Sequence, residues 1–173
     1  MTTRAEVINC ARKYLQTPFG QRGRQIGKGI DCIGVVLCVG GDLGLSDKDG
    51  NPFHAEMYKD YPNQPFGDEV QEECKKRLVI KSLGVPAGFS QMIPGDIVTM
   101  RIPPETAFRR VFAKNEKLTP VTHVAIISDL NGALGVIHSY NSESVGKRVV
   151  EHLIDLRWMR RIAGVFSFHG VTG

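Results

Sequence analysis

The sequence predicts an α+β protein, with N-terminal helices packed on an antiparallel sheet of about five strands. Three observations carry that reading. Runs with a helical period fall in the first eighty or so positions. After Pro86 the texture changes to short β-branched runs separated by turn residues. Asn131-Gly132 stands between two of those runs, a hairpin signal. A chain of 173 residues, 42% hydrophobic and 23% charged, fits one domain spanning 1–173 with an ordinary core.

The elements follow in order. Thr3 and Glu6 have capping-box spacing, and Val7, Ile8, Ala11, Tyr14 and Leu15 continue with a helical period. Pro18 is placed to end this helix. "FGQRGRQIGKGI" is a glycine-rich basic loop that matches neither the phosphate-loop nor the dinucleotide pattern. "CIGVVLCVGGDLGL" is apolar nearly all round, and periodicity does not separate a buried strand from a buried helix. Asp31 as N-cap and Gly44 as a stop favour the helix. "GDEVQEECKKRLVI" reads as a surface helix with a Val70, Cys74, Leu78 stripe, acids in its first turn and bases in its last. The five expected strands are "PGDIVTMRI", "THVAIISDL", "ALGVIHSYN", "KRVVEHLI" and "RRIAGVFSFHG".

Composition narrows the function. A net charge of +4 suits an anionic polymer, but aromatic residues are not interleaved with basic clusters, which argues against nucleic acid as a partner. No apolar run reaches membrane-span length, and the N-terminus lacks the apolar core of a signal peptide. Synthesis in the cytoplasm without a signal peptide is the expectation. Cys10, Cys32, Cys38 and Cys74 form no CxxC pair and read as reduced thiols. The five histidines form no HExxH or HxH, so no metal is expected. "DKDGN" has Pro52 and Tyr58 where a calcium loop needs glycine and glutamate, and reads as a turn.

Cys32 is the chemically suggestive residue. With Asp31 as cap it becomes the first residue of a helix, facing free backbone N–H groups that stabilise a thiolate or an oxyanion. Gly34 leaves room for close approach of a substrate or strand. His123 opens one expected strand and His138 closes the next, so adjacent antiparallel strands can set them side by side. Nucleophile, base and orienting group make a catalytic arrangement. The plain alternative is a buried, inert thiol beside two structural histidines. His54, His152 and His169 read as solvated, and Trp158 as a packing residue.

In succession, "QTPFGQRGR", "GKGIDCIGVV", "IPGDIVTM", "THVAIIS" and "GVIHSYN" resemble the motifs of the NlpC-type cell-wall cysteine peptidases, G-T-P-Y, D-C-x-G, P-G-D, H-V-x-I and I-H-A. The ending "VVEHLIDLRWMRRIAGVFSFHG" is similar to the phage-tail subset of that family. The resemblance implies a compact papain-like fold and a thiol hydrolase of peptidoglycan stem peptides that uses no cofactor. It implies Cys32 as nucleophile, His123 as general base, His138 as the orienting group and Asp31 as a binder of the substrate amine. Phe19 stands where the family has a substrate-contacting tyrosine, and Ile33 where a serine commonly follows the nucleophile. Both changes remove hydrogen-bonding groups from the expected substrate pocket. The implied bond is of γ-D-glutamyl-diamino-acid type, and the implied setting is a virion tail or a prophage product, with tail proteins as partners. Alternatives are a non-catalytic tail-assembly component of the same fold, or a related amidase or acyl transferase. The stretch 103–119 is long for the family and reads as an insertion.

Overall fold

The computed structural model describes residues 1–58, 60–62, 67–102 and 119–173. Apart from Thr119, the expected insertion lies outside the described residues.

Helix α1 spans Arg4–Arg12. Thr3 caps it and shares a reciprocal capping box with Glu6, as the spacing predicted. Its buried stripe is Val7, Ile8, Cys10 and Ala11. The helix stops well before Pro18. Single turns follow, and Gln16, at φ 67°, turns the chain away two residues ahead of the proline. Helix α2 spans Cys32–Asp42 and is buried over most of its length. Asp31 caps its start, and Gly44, at φ 63°, supplies the left-handed exit. A surface helix, α3, spans Glu69–Arg77. Lys75 and Lys76 meet Glu72 and Glu73 three residues back, and Arg77 meets Glu73 four back. A short helix, α4, spans Leu156–Arg161 and is capped by Asp155.

Two small strand pairs bracket the sheet. Thr2–Thr3 (β1) runs parallel to Val171–Thr172 (β10), and Arg24–Gln25 (β2) pairs with Gly29–Ile30 (β3). The main sheet has six strands rather than five. Val79–Leu83 (β4), Ile97–Met100 (β5), His123–Leu130 (β6), Ala133–Tyr140 (β7), Arg148–Leu153 (β8) and Ile162–Ser167 (β9) lie in the order β4-β9-β5-β6-β7-β8. Every neighbouring pair is antiparallel. The sixth strand is β4. The sequence reading gave its "LVI" to the preceding helix, but α3 ends at Arg77, Leu78 turns extended, and the chain continues as an edge strand. Between β6 and β7, Asn131 and Gly132 both have positive φ and close a two-residue hairpin.

Successive strand residues face opposite sides, so the sheet carries two cores. On one face Val124, Ile126, Ile137 and Val149 pack against α1 and α2. On the other, Val98, Ala125, Ile127 and Val136 pack with Met159 of α4 and Met92. Asp96, fully buried, joins Arg4 of α1 (2.7 Å) and Lys81 of β4, and so ties the first helix to the far edge of the sheet. Among the described residues no helix is long and apolar enough to cross a membrane.

Candidate active site

Cys32 is the first residue of α2, set there by the Asp31 cap. The first four N–H groups of a helix have no partner in the preceding turn. Here Gly34 N–H donates to Asp31 Oδ1 (2.7 Å), and Val35 N–H to the Asp31 carbonyl (3.1 Å). Of the two N–H groups before these, that of Ile33 meets the Cys32 sulfur. Cys32 is half-buried and packs on the face that α2 covers.

The β6–β7 ladder begins at Ile126–Ile137, so residues 123–125 run beyond it. There the Val124 backbone N–H meets the Cys32 sulfur. Ser139 Oγ donates to the Ile30 carbonyl (2.6 Å) and holds the chain leading into α2 against the same end of β7.

His123, the neighbour of Val124, heads a row of three imidazoles. His123 Nε2 lies 2.6 Å from His138 Nδ1, and His138 Nε2 lies 3.0 Å from His152 Nε2. The row sits on the face of Ala125 and Val136, opposite the face that α2 covers. Tyr140 stacks on His138, centroids 5.2 Å apart, and Trp158 stands edge-on to His138 at 5.3 Å and tilted on His152 at 4.7 Å. No hydrogen bond joins Cys32 to an imidazole among the described residues. The N–H that meets the sulfur belongs to the residue next to the head of the row.

Burial decides the protonation states. It lowers His123 from 6.5 to about 3 and holds His138 well below its ordinary value, so both rings are neutral. Burial, and after it the adjacent Asp31 carboxylate, pushes the Cys32 thiol up to about 12. The N–H groups of Val124 and Ile33 and the Arg24 guanidinium pull it down, but less. The resting pair is therefore thiol and imidazole, although a helix start by itself favours a thiolate.

Asp31 lies 2% exposed and is consumed internally. Its carboxylate accepts from Gly34 N–H, from Arg22 N–H (2.7 Å), from Arg24 Nη1 (2.9 Å) and from the Tyr61 hydroxyl. Four donors fill a carboxylate's capacity, so it offers nothing to a substrate amine. Gly34 faces no substrate either. A Cβ there would lie 2.5 Å from the Gly23 carbonyl oxygen, so its bareness admits the basic loop. Phe19 is half-buried; its N–H donates to Lys147 O (2.7 Å) and it bridges Ile30. Ile33 lines an apolar pocket beside Cys32 with Val36, Val124, Tyr58 and Leu78.

His152, expected in solvent, is the third imidazole of the row instead. Trp158 packs as expected, with the histidines as its partners. Tyr140 was passed over, although its place two residues after His138 puts it on the same face. His54 and His169 are exposed. The "DKDGN" segment is a turn in which Asp47 accepts from Asp49 N–H and Asn51 N–H (both 2.9 Å).

Comparison with known proteins gives the architecture its context. No family model and no curated protein matches the sequence. Solved structures do. The NlpC/p60 domain of the peptidoglycan hydrolase SagA is 20% identical, with 96% of this chain and 99% of that one covered, at a TM-score of 0.49. An N-acetylmuramoyl-L-alanine amidase from Bacteroides uniformis is 14% identical, with 94% and 96% covered, at 0.49. An NlpC/P60 family protein from Bacillus cereus is 17% identical, with 94% of this chain and 39% of that one covered, at 0.54. The last superposition carries the comparison: helices α1 and α2 on a six-stranded antiparallel sheet give this chain the fold of the NlpC/P60 domain.

Proposed function

We propose that this chain is a thiol hydrolase of amide bonds in peptidoglycan stem peptides, with Cys32 as nucleophile, His123 as general base and His138 as the group that orients it. One observation carries the proposal. The Cys32 sulfur, at the start of α2, is held by the N–H of the residue that follows a neutral, buried histidine. The NlpC/P60 fold and the order of the sequence motifs support it.

The chemistry follows from a neutral pair. His123 takes the thiol proton as sulfur attacks the amide carbonyl, and the N–H groups of Cys32 and Ile33 receive the oxyanion. His123 then protonates the leaving amine, and a water activated by the same ring releases the acyl group. Sulfur and imidazole must close on each other in the substrate complex, as catalytic hydrogen bonds often do. The pocket of Ile33 and Val124 accepts an apolar part of the peptide. With Asp31 enclosed and Phe19 in place of tyrosine, a γ-D-glutamyl-diamino-acid bond is proposed on the sequence resemblance alone. So is the setting, a phage or prophage tail.

Digestion of purified peptidoglycan tests this. Soluble peptides are expected from the wild type, and a loss of about a hundredfold or more from Cys32→Ala and from His123→Ala. Release that persists in Cys32→Ala overturns the assignment. A second reading, a non-catalytic tail component, is favoured by the absent Cys32–imidazole bond and the raised thiol. It prevails if the wild type releases nothing at any pH.

A further inference from the structure

The imidazole row has an end that the proposed chemistry leaves unexplained. His152 lies on β8, whose register sets it opposite Val136, with His138 opposite Val150. The two histidines are thus diagonal neighbours on one face, within reach of each other. The other ring nitrogen of His152, Nδ1, lies 2.9 Å from the Leu153 carbonyl oxygen. A carbonyl only accepts, so Nδ1 bears the hydrogen and, in the neutral ring, Nε2 bears the lone pair. That lone pair faces His138 Nε2 at 3.0 Å, which must then be N–H. His138 Nδ1 is left as an acceptor and receives His123 Nε2–H across 2.6 Å. The remaining lone pair of the row is on His123 Nδ1. A backbone carbonyl at one end thereby fixes the basic atom at the other.

We infer that His152 is a positioning residue of this site: anchored by Leu153 O, it selects the tautomer of His138 and, through it, presents His123 Nδ1 as the base. The surroundings suit that role. Trp158 lies on the His152 ring at 4.7 Å, and Arg161 lies over Trp158 at 5.1 Å. Tyr140 stacks on His138 and Trp158 stands edge-on to it, and these contacts restrain the middle ring. The catalytic consequence rests on the hydrolase reading; the tautomer assignment does not.

The experiment uses the whole protein labelled with 15N at histidine. Imidazole nitrogen shifts are recorded for the wild type, His152→Phe and His152→Asn, and the amide spectra verify folding. The expected wild type has His138 and His123 both protonated at Nε2. In His152→Phe the acceptor is gone, and His138 should become a mixture of tautomers. In His152→Asn the carboxamide oxygen accepts again, and the wild-type pattern should return. On stem peptides, kcat should fall by about ten- to a hundredfold in His152→Phe with KM unchanged, and recover in His152→Asn. Unchanged tautomers in His152→Phe, or a wild-type His138 protonated at Nδ1, overturn the inference. A wild type that cleaves no peptide while showing the expected shifts refutes the hydrolase reading and leaves the tautomer assignment standing.

Discussion

At Cys32, two influences compete over one proton. A helix N-terminus and two backbone N–H groups favour sulfur as an anion, whereas enclosure and the Asp31 carboxylate favour the thiol. Enclosure wins, because Asp31 is the direct neighbour and the sulfur has little water. Alkylation of Cys32 should therefore remain slow through neutral pH and accelerate only above the ordinary thiol range of about 8.5. Rates of iodoacetamide labelling against pH, with the other cysteines replaced by serine, check this; a rate already at its plateau near neutrality would contradict it. The residue identities were readable, since Asp31-Cys32 before an apolar run marks a cap and a first helical residue. The protonation state was not. The partners that enclose Asp31 (Arg22, Arg24 and Tyr61) come from the basic loop and from a stretch thirty residues on, and no local pattern announces them.

Elements were legible where their signal is local. Thr3 with Glu6, Asp31 with Gly44, and Asn131-Gly132 each fix a boundary through bonds made within a few residues. Strand β4 escaped because it is an exposed edge that leaves a helix without a turn residue and carries a register shift between Ile80 and Ser82. His152 escaped because its role depends on the β7–β8 register, which pairing decides and sequence spacing does not. Gly34 shows how one element limits another. A methyl group there would meet the Gly23 carbonyl oxygen at 2.5 Å and Ile30 Cγ1 at 2.7 Å, both in the loop that carries Arg24. Gly34→Ala should cost about 1–3 kcal/mol, read as a lower urea midpoint, and should displace the Arg24–Asp31 pair. An unchanged midpoint would mean that the loop moves freely.

Across the molecule, each face of the sheet carries a buried core, and charge buried there is felt as stability. His123 and His138 stay neutral when folded, with His123 lowered from 6.5 to about 3. The unfolded chain protonates them at their ordinary value. Between those limits the unfolded state binds more protons, so stability falls as pH drops from about 6.5 towards 3. Asp47, whose carboxyl is also held below its ordinary value, adds a loss only at more acidic pH. Urea midpoints should decline between about pH 7 and pH 5, before carboxylates titrate, and a flat profile there would contradict neutral burial. Burial governs sulfur as well. Burial pushes Cys10 up to about 11 and Cys74 to about 12, and raises Cys38, alongside Cys32. Peroxide attacks the ionised form, so the folded molecule should pass through aerobic handling with its four sulfurs reduced. Once it opens, all four regain their acidity together, and oxidative cross-linking then competes with the return to the native state.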